Sequence, residues 1–580
     1  MKTAALLFSL PLLAAQTAPV QRISTSGWCS PVFVNVSGPV TVNCIGVDPQ
    51  ANREMNRQLD SLKLGYKEKV RQANEWARKY KLLQKELDRE SDGSALARLA
   101  EQALHAGDLD RAIALLKQLA GGPDKQNVDR AAAHAYELGL ALELKFQTPE
   151  ALTYLEQAQR YRPENTTYAA EYARALLKEN RFAESEAIFT KTIARLEELR
   201  KKDYLTYAVP LMQAEMEVGT LYANTDRLDK AGDAYNSAFA TCLTVGMFSN
   251  ACSYADLTDI LSELGGLLIR GERYQEAKGI YEQAFQQYKS VSKDGTAYMP
   301  EQARCLSYLG LIYQHLNEPA KAERALQMAL SIQVLLLDQK KPANRADLAQ
   351  TYLMDADFKS ETNRLEKAES DFSSAAEILR ELAHEDAEAY QPSLERALYS
   401  WGRVDLLAKK YREASTVYEE LLPIAQELAT RDPARYLEDV AVSWNSLATI
   451  RSDARQYAEC LKFRQQAAEA FRKLAALNHA QLASLAATLT AVAWDALVMQ
   501  DADLAQRSAD ESEQILRDFH RRDPAAYGEK FGQSLVIEAM VLKYRHADCA
   551  DVKRKAAEAT QVTSAPGVTS AAQVFIDACR

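Results

Sequence analysis

Ten small residues recur down this chain in near-constant register: Ala112, Ala151, Ser185, Ala231, Ala277, Ala322, Ala368, Ala414, Cys460 and Ala505. From Ser185 onward the steps are 46, 46, 45, 46, 46, 46 and 45 residues. A period of that size, held over most of a chain, belongs to a solenoid, in which each unit packs only on its neighbours. Such an array escapes the size limit of a single compact core, so 580 residues do not call for several globular domains.

Charged residues make up 26 % of the chain and the net charge is −10, with both signs well mixed. That balance offers no broad basic surface for nucleic acid. With 22 glycines and 17 prolines, the tracts between them are long enough to be helical. Residues 1–18 begin with Met-Lys, run through an apolar stretch from Ala4 to Ala15 and end in small residues, the arrangement of a secretory signal peptide. The stretch is well short of the ~20 residues that span a bilayer. No other long apolar segment is expected, so no integral span should remain after cleavage.

The cysteines fit export. Cys29 and Cys44, Cys242 and Cys252, and Cys549 and Cys579 form three local pairs that are expected to close as disulfides in an oxidising compartment. Cys305 and Cys460 occupy helical repeat positions and are expected to be small buried packing residues. Residues 19–47 hold two β-branched runs, Val32 to Val36 and Val40 to Asn43, around Ser37-Gly38-Pro39, the signal of a small Cys-flanked β-hairpin.

Asp48-Pro49 starts a helical segment that reaches residue 92. Leu59, Tyr66, Ala73, Tyr80 and Leu87 fall seven apart, with Leu62, Trp76 and Leu83 between them and Lys69 interrupting the seam. Two readings stand: a coiled coil that could make the protein a homo-oligomer, or one amphipathic helix folded back on the repeats.

Within the repeats a small residue in one helix precedes an Ala-bulky-Ala series in the next. The series are Leu138-Gly139 with Ala151, Leu155, Ala158 and Pro163; Gly219 and Tyr222 with Ala231, Tyr235 and Ala238; and Gly265 with Ala277, Tyr281 and Ala284. Gly310 and Tyr313 with Ala322, Leu326 and Ala329, and Gly402 with Tyr411, Ala414 and Tyr418, continue it. Antiparallel helices approach closely only where the crossing residues are small and bulky ones fill the gaps beside them.

Over residues 94–545 this pattern resembles the tetratricopeptide repeat (TPR). The usual unit has about 34 residues, and only the step from 151 to 185 matches it. Twelve extra residues per unit lengthen each helix by about six residues, roughly 9 Å, which resembles the kinesin-light-chain-like branch of that family. The resemblance implies an all-α, right-handed α-solenoid of about ten helical hairpins. Residues 546–580 are read as a tail, with a flexible Thr563-Ser564-Ala565-Pro566-Gly567 stretch.

The same resemblance places ligands on the face lined by the first helix of each repeat. There the chain should present Gln213, Asn224, Arg270, Arg304, Gln314, His315, Asp357, Arg396, Tyr399, Arg403 and Asn445. Arg396, Tyr399 and Arg403 share one helix face; Arg can grip carboxylates and Tyr adds rigid contact area. No phosphate-binding Gly-rich loop, nucleophile elbow or metal-ligand spacing occurs among these residues. The expectation is a periplasmic or secreted scaffold for protein or peptide partners, with no catalytic group, cofactor or metal. The alternative is an envelope-structural or assembly factor joined through the heptad segment.

Overall fold

A computed structural model describes residues 29–32, 41–44, 46–62, 66–90, 94–121, 127–248, 254–291, 298–337 and 342–579. The expected signal segment, 1–18, lies outside them. The chain falls into two compact units, residues 1–341 and 342–580.

The first unit begins with β1 (Cys29–Val32) and β2 (Thr41–Cys44), antiparallel with Cys29 opposite Cys44. The expected turn between them lies outside the described residues. Helix α1 (Pro49–Ser61) serves β2 directly. The Val42 N–H donates to Asn56 Oδ1 at 2.7 Å, and the Val42 carbonyl accepts from Asn52 Nδ2 at 3.0 Å and from Asn56 Nδ2 at 2.7 Å. Two asparagines one helical turn apart supply the hydrogen bonds that a further strand would otherwise make.

The heptad segment is not one rod. It comprises α1 and a second helix, α2 (Tyr66–Glu90). Leu59, Ala73, Trp76, Tyr80, Leu83 and Leu87 are buried within this chain and belong to one core with Tyr136, Leu140 and Leu144. Of the two readings, the helix folded back on the repeats is the one observed. Most of the seam that a coiled coil would use is therefore covered within the chain, although Leu62 is exposed and the side chain of Tyr66 lies outside the described residues.

Helical hairpins follow: α3 (Ala95–His105) with α4 (Leu109–Gly121), α5 (Val128–Leu144) with α6 (Thr148–Tyr161), and α7 (Thr166–Lys178) with α8 (Phe182–Lys202). Then come α9 (Tyr204–Asn224) with α10 (Leu228–Phe248), α11 (Tyr254–Arg270) with α12 (Tyr274–Val291), and α13 (Met299–His315) with α14 (Pro319–Leu337). The second unit pairs α15 (Pro342–Glu361) with α16 (Leu365–Glu385), α17 (Ala387–Leu407) with α18 (Tyr411–Arg431), and α19 (Pro433–Asp453) with α20 (Tyr457–Leu477). It ends with α21 (Leu482–Val498) and α22 (Ala502–Arg522), α23 (Pro524–Tyr544) and α24 (Cys549–Val562), and a last helix, α25 (Pro566–Ala578). Helix length rises from 13 residues in α7 to 21 in α8, α9 and α10, where the step between units lengthens.

All ten ladder residues are completely buried, each in the first turn or two of a second helix. Their register has a backbone cause. Five residues before each of them stands a residue in the left-handed region: Gly107, Phe146, Asn180, Asp226, Glu272, Asn317, Asn363, Lys409, Arg455 and Gln500. At one such turn Asp226 N–H donates to the Ala223 carbonyl at 3.2 Å and Arg227 N–H to the Tyr222 carbonyl at 2.8 Å. That is a Schellman closure, which uses up the carbonyls left over at a helix end and sets the angle at which the next helix returns.

His546 has the same left-handed backbone, and Ala547 N–H donates to the Leu542 carbonyl at 2.9 Å. The expected tail is therefore a further hairpin. The stretch read as flexible is the short link from α24 to α25, where Ala565 N–H donates to Thr563 Oγ1 at 3.2 Å and Pro566 opens α25. Cys549 and Cys579 are joined by a disulfide, as expected. Cys44 and Cys242 are disulfide-bonded too, but the side chains of Cys29 and Cys252 lie outside the described residues. Cys305 and Cys460 are buried thiols.

One expectation about apolar segments needs correction. His479–Val498 is long and apolar enough to cross a membrane, with mean hydropathy 1.4, and 56 % of it is buried inside the fold. Its inward residues, Leu485, Leu489 and Val492 among them, pack in the second unit's core.

Candidate recognition surfaces

In the first unit the first-helix face of the early hairpins, α3, α5 and α7, is occupied. Helix α2 lies on α5 and α7, and its polar residues meet theirs in a buried ion network. The indole of Trp76 donates to the Leu144 carbonyl at 2.9 Å. Arg78 grips Glu171, which also pairs with Arg174; Lys79 pairs with Glu143, and Lys178 bridges Glu75 at 2.7 Å and Glu143 at 3.1 Å. Burial alone would raise the Glu171 carboxyl, but the Arg174 and Arg78 guanidiniums overcome it and hold it down to about 2. Buried charges persist only when paired in this way.

Six of the residues expected on the ligand face lie in this unit, and Arg270, Arg304 and His315 stand at separate places. Arg270 is exposed at the end of α11, half-buried Arg304 on α13 faces Tyr281 and Tyr288, and His315 stacks on Tyr274 with ring centroids 4.3 Å apart. A feature with no counterpart in the sequence reading is an open groove of about 770 Å³ lined chiefly by α12, α13 and α14. Helices α12 and α14 form its walls and α13 its floor, with Gln286, Leu309, Arg324 and Met328 on the lining. Tyr313 at its edge donates its hydroxyl to Glu282 at 2.7 Å.

In the second unit Asp357, Arg396, Tyr399 and Arg403 are grouped on α15 and α17, whereas Asn445 on α19 turns to α21. Arg396 is exposed and reaches back to Asp357 on α15, Nη2 to Oδ2 3.0 Å. The Arg403 guanidinium stands 5.8 Å from the centre of the Tyr399 ring, a cation–π arrangement. Asn445 donates through Nδ2 to Thr488 Oγ1 at 3.1 Å. Because the Thr488 hydroxyl donates its proton to the Ser484 carbonyl at 3.0 Å, it can only accept from Asn445. The amide orientation is thereby set, and Asn445 Oδ1 is left buried without a donor.

Sequence reasoning missed the acidic residues between these arginines. Glu395 on α17 is 4 % exposed, and its Oε1 has no hydrogen-bond partner. Burial and the neighbouring Asp439 of α19 push its carboxyl up to about 8, with Arg435 opposing. Asp439 is itself raised to about 6 by burial and by Glu438. A glutamate one turn before Tyr399 reads in sequence as one more solvated helix carboxylate, so only packing reveals it. Among the described residues no group of three His, Cys, Asp or Glu side chains could hold a metal ion.

Residues 256–333, from α11 into α14, match the family model described as tetratricopeptide repeat. No curated protein sequence matches the chain. Solved structures similar to it include the following three. BtubC (BKLC) from P. vanneervenii is 21 % identical, covering 47 % of this chain and 90 % of its own, with a TM-score of 0.29. Pseudomonas aeruginosa pilF is 17 % identical over 47 % of this chain and 93 % of its own, TM-score 0.31. A STAND protein with a tetratricopeptide repeat sensor from Pyrococcus horikoshii is 12 % identical over 86 % and 74 %, TM-score 0.47.

Proposed function

We propose that this chain is an exported TPR scaffold of the long-helix kind, without a catalytic group or cofactor, that binds protein or peptide partners on the first-helix face of its second unit. TPR arrays generally mediate protein–protein interaction, and the matched repeats support that class. The observation that carries the choice of surface is the contrast between the units. In the first, the chain's own α2 already lies on that face at α5 and α7 through Arg78 and Lys79. In the second, α17 and α19 present Arg396, Tyr399, Arg403, Glu395 and Asn445, two of which carry buried acceptor atoms with no donor.

The reading includes a periplasmic or secreted location, to which the signal-like segment 1–18 and the Cys549–Cys579 disulfide both point. It includes β1 and β2 as the arms of a hairpin closed by Cys29–Cys44, and a Cys242–Cys252 pair. Assembly through a free heptad seam has less support, because Leu59, Ala73, Trp76, Tyr80, Leu83 and Leu87 are buried inside the chain.

A photo-crosslinking residue at position 403 tests the surface. Crosslinks to a host envelope protein that disappear in an Arg396→Ala, Tyr399→Ala double variant are expected. Capture that persists unchanged in that variant would move the partner surface elsewhere, with the groove on α13 the next place to probe.

A further inference from the structure

The first unit shows what its first-helix face accepts when it is filled. Basic side chains of α2, Arg78 and Lys79, enter between repeat helices and end on buried carboxylates, Glu171 and Glu143. The second unit repeats half of that arrangement. Glu395 is a buried carboxyl with an orphaned oxygen, and no basic side chain pairs with it. Asp439 faces it across the seam from α19, with Glu438 beside Asp439. Tyr399, half-buried and one turn along α17, forms the aromatic edge of the seam.

We propose that the seam between α17 and α19 receives a cationic side chain, a lysine ammonium or arginine guanidinium from a partner peptide, between Glu395 and Asp439 and against the ring of Tyr399. This rests on the reading that partners bind the first-helix face of the second unit, and it names their chemistry. The charges argue for a cation. A buried carboxyl without a donor is costly to leave unmatched, and an aromatic face adds attraction for the same charge. An anionic ligand would meet Glu395, Glu438 and Asp439 together. Arg396 is already turned to Asp357 and Arg403 to Tyr399, while Arg435, which acts on Glu395 and Asp439, lies over the Tyr436 ring, 5.2 Å from its centre, and makes no ion pair with Glu395.

A cation in the seam drives a proton off. The titratable and charged groups that act on Glu395 are Asp439 and Arg435 from α19 and Tyr399 from its own helix, with Glu438 acting on Asp439 in turn. With Glu395 up at about 8, the empty seam holds its proton at pH 7, and the ammonium displaces it. Affinity therefore rises with pH from 6 to 8, and binding releases a proton that calorimetry can count.

The experiment titrates the full chain with an acetylated, amidated pentalysine peptide at pH 7 in two buffers of different ionisation enthalpy, with pentaglutamine as the uncharged control. Saturable pentalysine binding with net proton release is expected. Glu395→Gln, which keeps shape and neutrality, should weaken it at least tenfold and abolish the proton release; Asp439→Asn should weaken it less. Glu388→Gln, on the exposed side of the same helix, should change neither. Equal binding and equal proton release in Glu395→Gln would overturn the proposal, leaving only surface attraction to an acidic chain. Failure of the parent reading looks different: position 403 then yields no crosslink to any partner. Crosslinks that survive Glu395→Gln undiminished keep the surface and remove the cation seam.

Discussion

The Arg78 guanidinium on α2 clasps the Glu171 carboxylate on α7 with two nitrogens, Nη2 standing 3.0 Å from Oε2. The two residues are 93 apart in sequence, so the contact fastens the N-terminal helix across the first repeats. Glu171 has its folded pKa depressed to about 2 by Arg174 and Arg78 against the effect of burial. Its stabilisation is therefore complete above the ordinary glutamate range and is lost as pH falls from about 4.5 toward 2. Glu171→Gln should destabilise the first unit at pH 7 by about 2–4 kcal/mol, since it leaves two buried guanidiniums short of a partner. The same variant should flatten the acid limb of thermal melts taken between pH 2 and 6. An unchanged acid limb would show that other carboxylates govern it.

Asp405 calls for the opposite sign. It is fully buried at the end of α17, and neither of its oxygens makes a hydrogen bond. Burial, with Glu369 nearby, raises it to about 7, while Lys410 acts against that rise. A raised acid binds its proton more tightly folded than unfolded, so stability falls as pH rises from about 4 toward 7 and stays low above. Asp405→Asn should raise stability by about 1–3 kcal/mol at pH 8 and by much less at pH 4. Melting curves at the two pH values decide it; an equal effect at both would mean that the carboxyl is not protonated in the fold.

The helix crossings follow a steric rule that sequence alone suggested and structure makes quantitative. A Cβ at Gly402 would lie 2.8 Å from Tyr418 Cζ, one at Gly219 2.6 Å from Tyr235 Cε1, and one at Gly265 2.2 Å from the Tyr281 hydroxyl. Where the crossing residue is alanine, at Ala173 and Ala356, the residue sixteen later is Phe189 or Phe372, without the hydroxyl. Gly402→Ala alone should cost about 1–3 kcal/mol by overpacking. Tyr418→Phe leaves the ring carbons nearest the new Cβ in place, so recovery in the double variant reads the freedom that loss of the hydroxyl gives the ring, and a double-mutant cycle by urea unfolding measures that coupling. No coupling would mean that the tyrosine moves aside freely.

The solenoid was legible because its signal is steric: a Cβ-sized residue must return wherever helices cross, so Ala112 through Ala505 keep step. The turns were not legible, since left-handed positions such as Phe146, Glu272, Lys409 and Arg455 hold residues that do not announce a turn. Glycine or asparagine would have, but here the packing of both helices outweighs a local penalty of ~1–2 kcal/mol. The last hairpin was missed for a related reason. Asp551 stands where an alanine is expected, while Gly528 and Gly532 pack on the α24–α25 end, with Val562 O and Thr563 Cγ2 2.8 and 2.7 Å from a would-be Cβ. The one cysteine of the ladder also finds its reason. Arg464 donates to Asp495 on α21 at 2.6 Å, and Cys460 Sγ lies 3.2 Å from the same carboxylate. At the candidate site, Arg396, Tyr399, Arg403 and Asn445 could be placed from repeat register, whereas the burial of Glu395 depends on α19, 46 residues further on.

Helix α25 ends the array, and its attachment is open to test. Val568, Ala572 and Phe575 pack with Phe531, Leu535, Ala556 and Ala559, so the helix covers an apolar edge that the last hairpin would otherwise expose to water. The Cys549–Cys579 disulfide closes a loop with a sequence separation of 30 residues. Loop-closure entropy for a crosslink of that span is worth about 3–4 kcal/mol at most. Cys549→Ser with Cys579→Ser should therefore lower stability by up to about that amount. The loss should be local: amide exchange in α24 and α25 should accelerate strongly, while α15 to α20 exchange as before, because each repeat relies chiefly on its neighbours. Phe575→Ala, with the disulfide intact, separates the two contributions by removing the apolar cover and leaving the tether. Uniform acceleration throughout the second unit after loss of the disulfide would show that α25 controls the folding of the whole array and does more than cap its end.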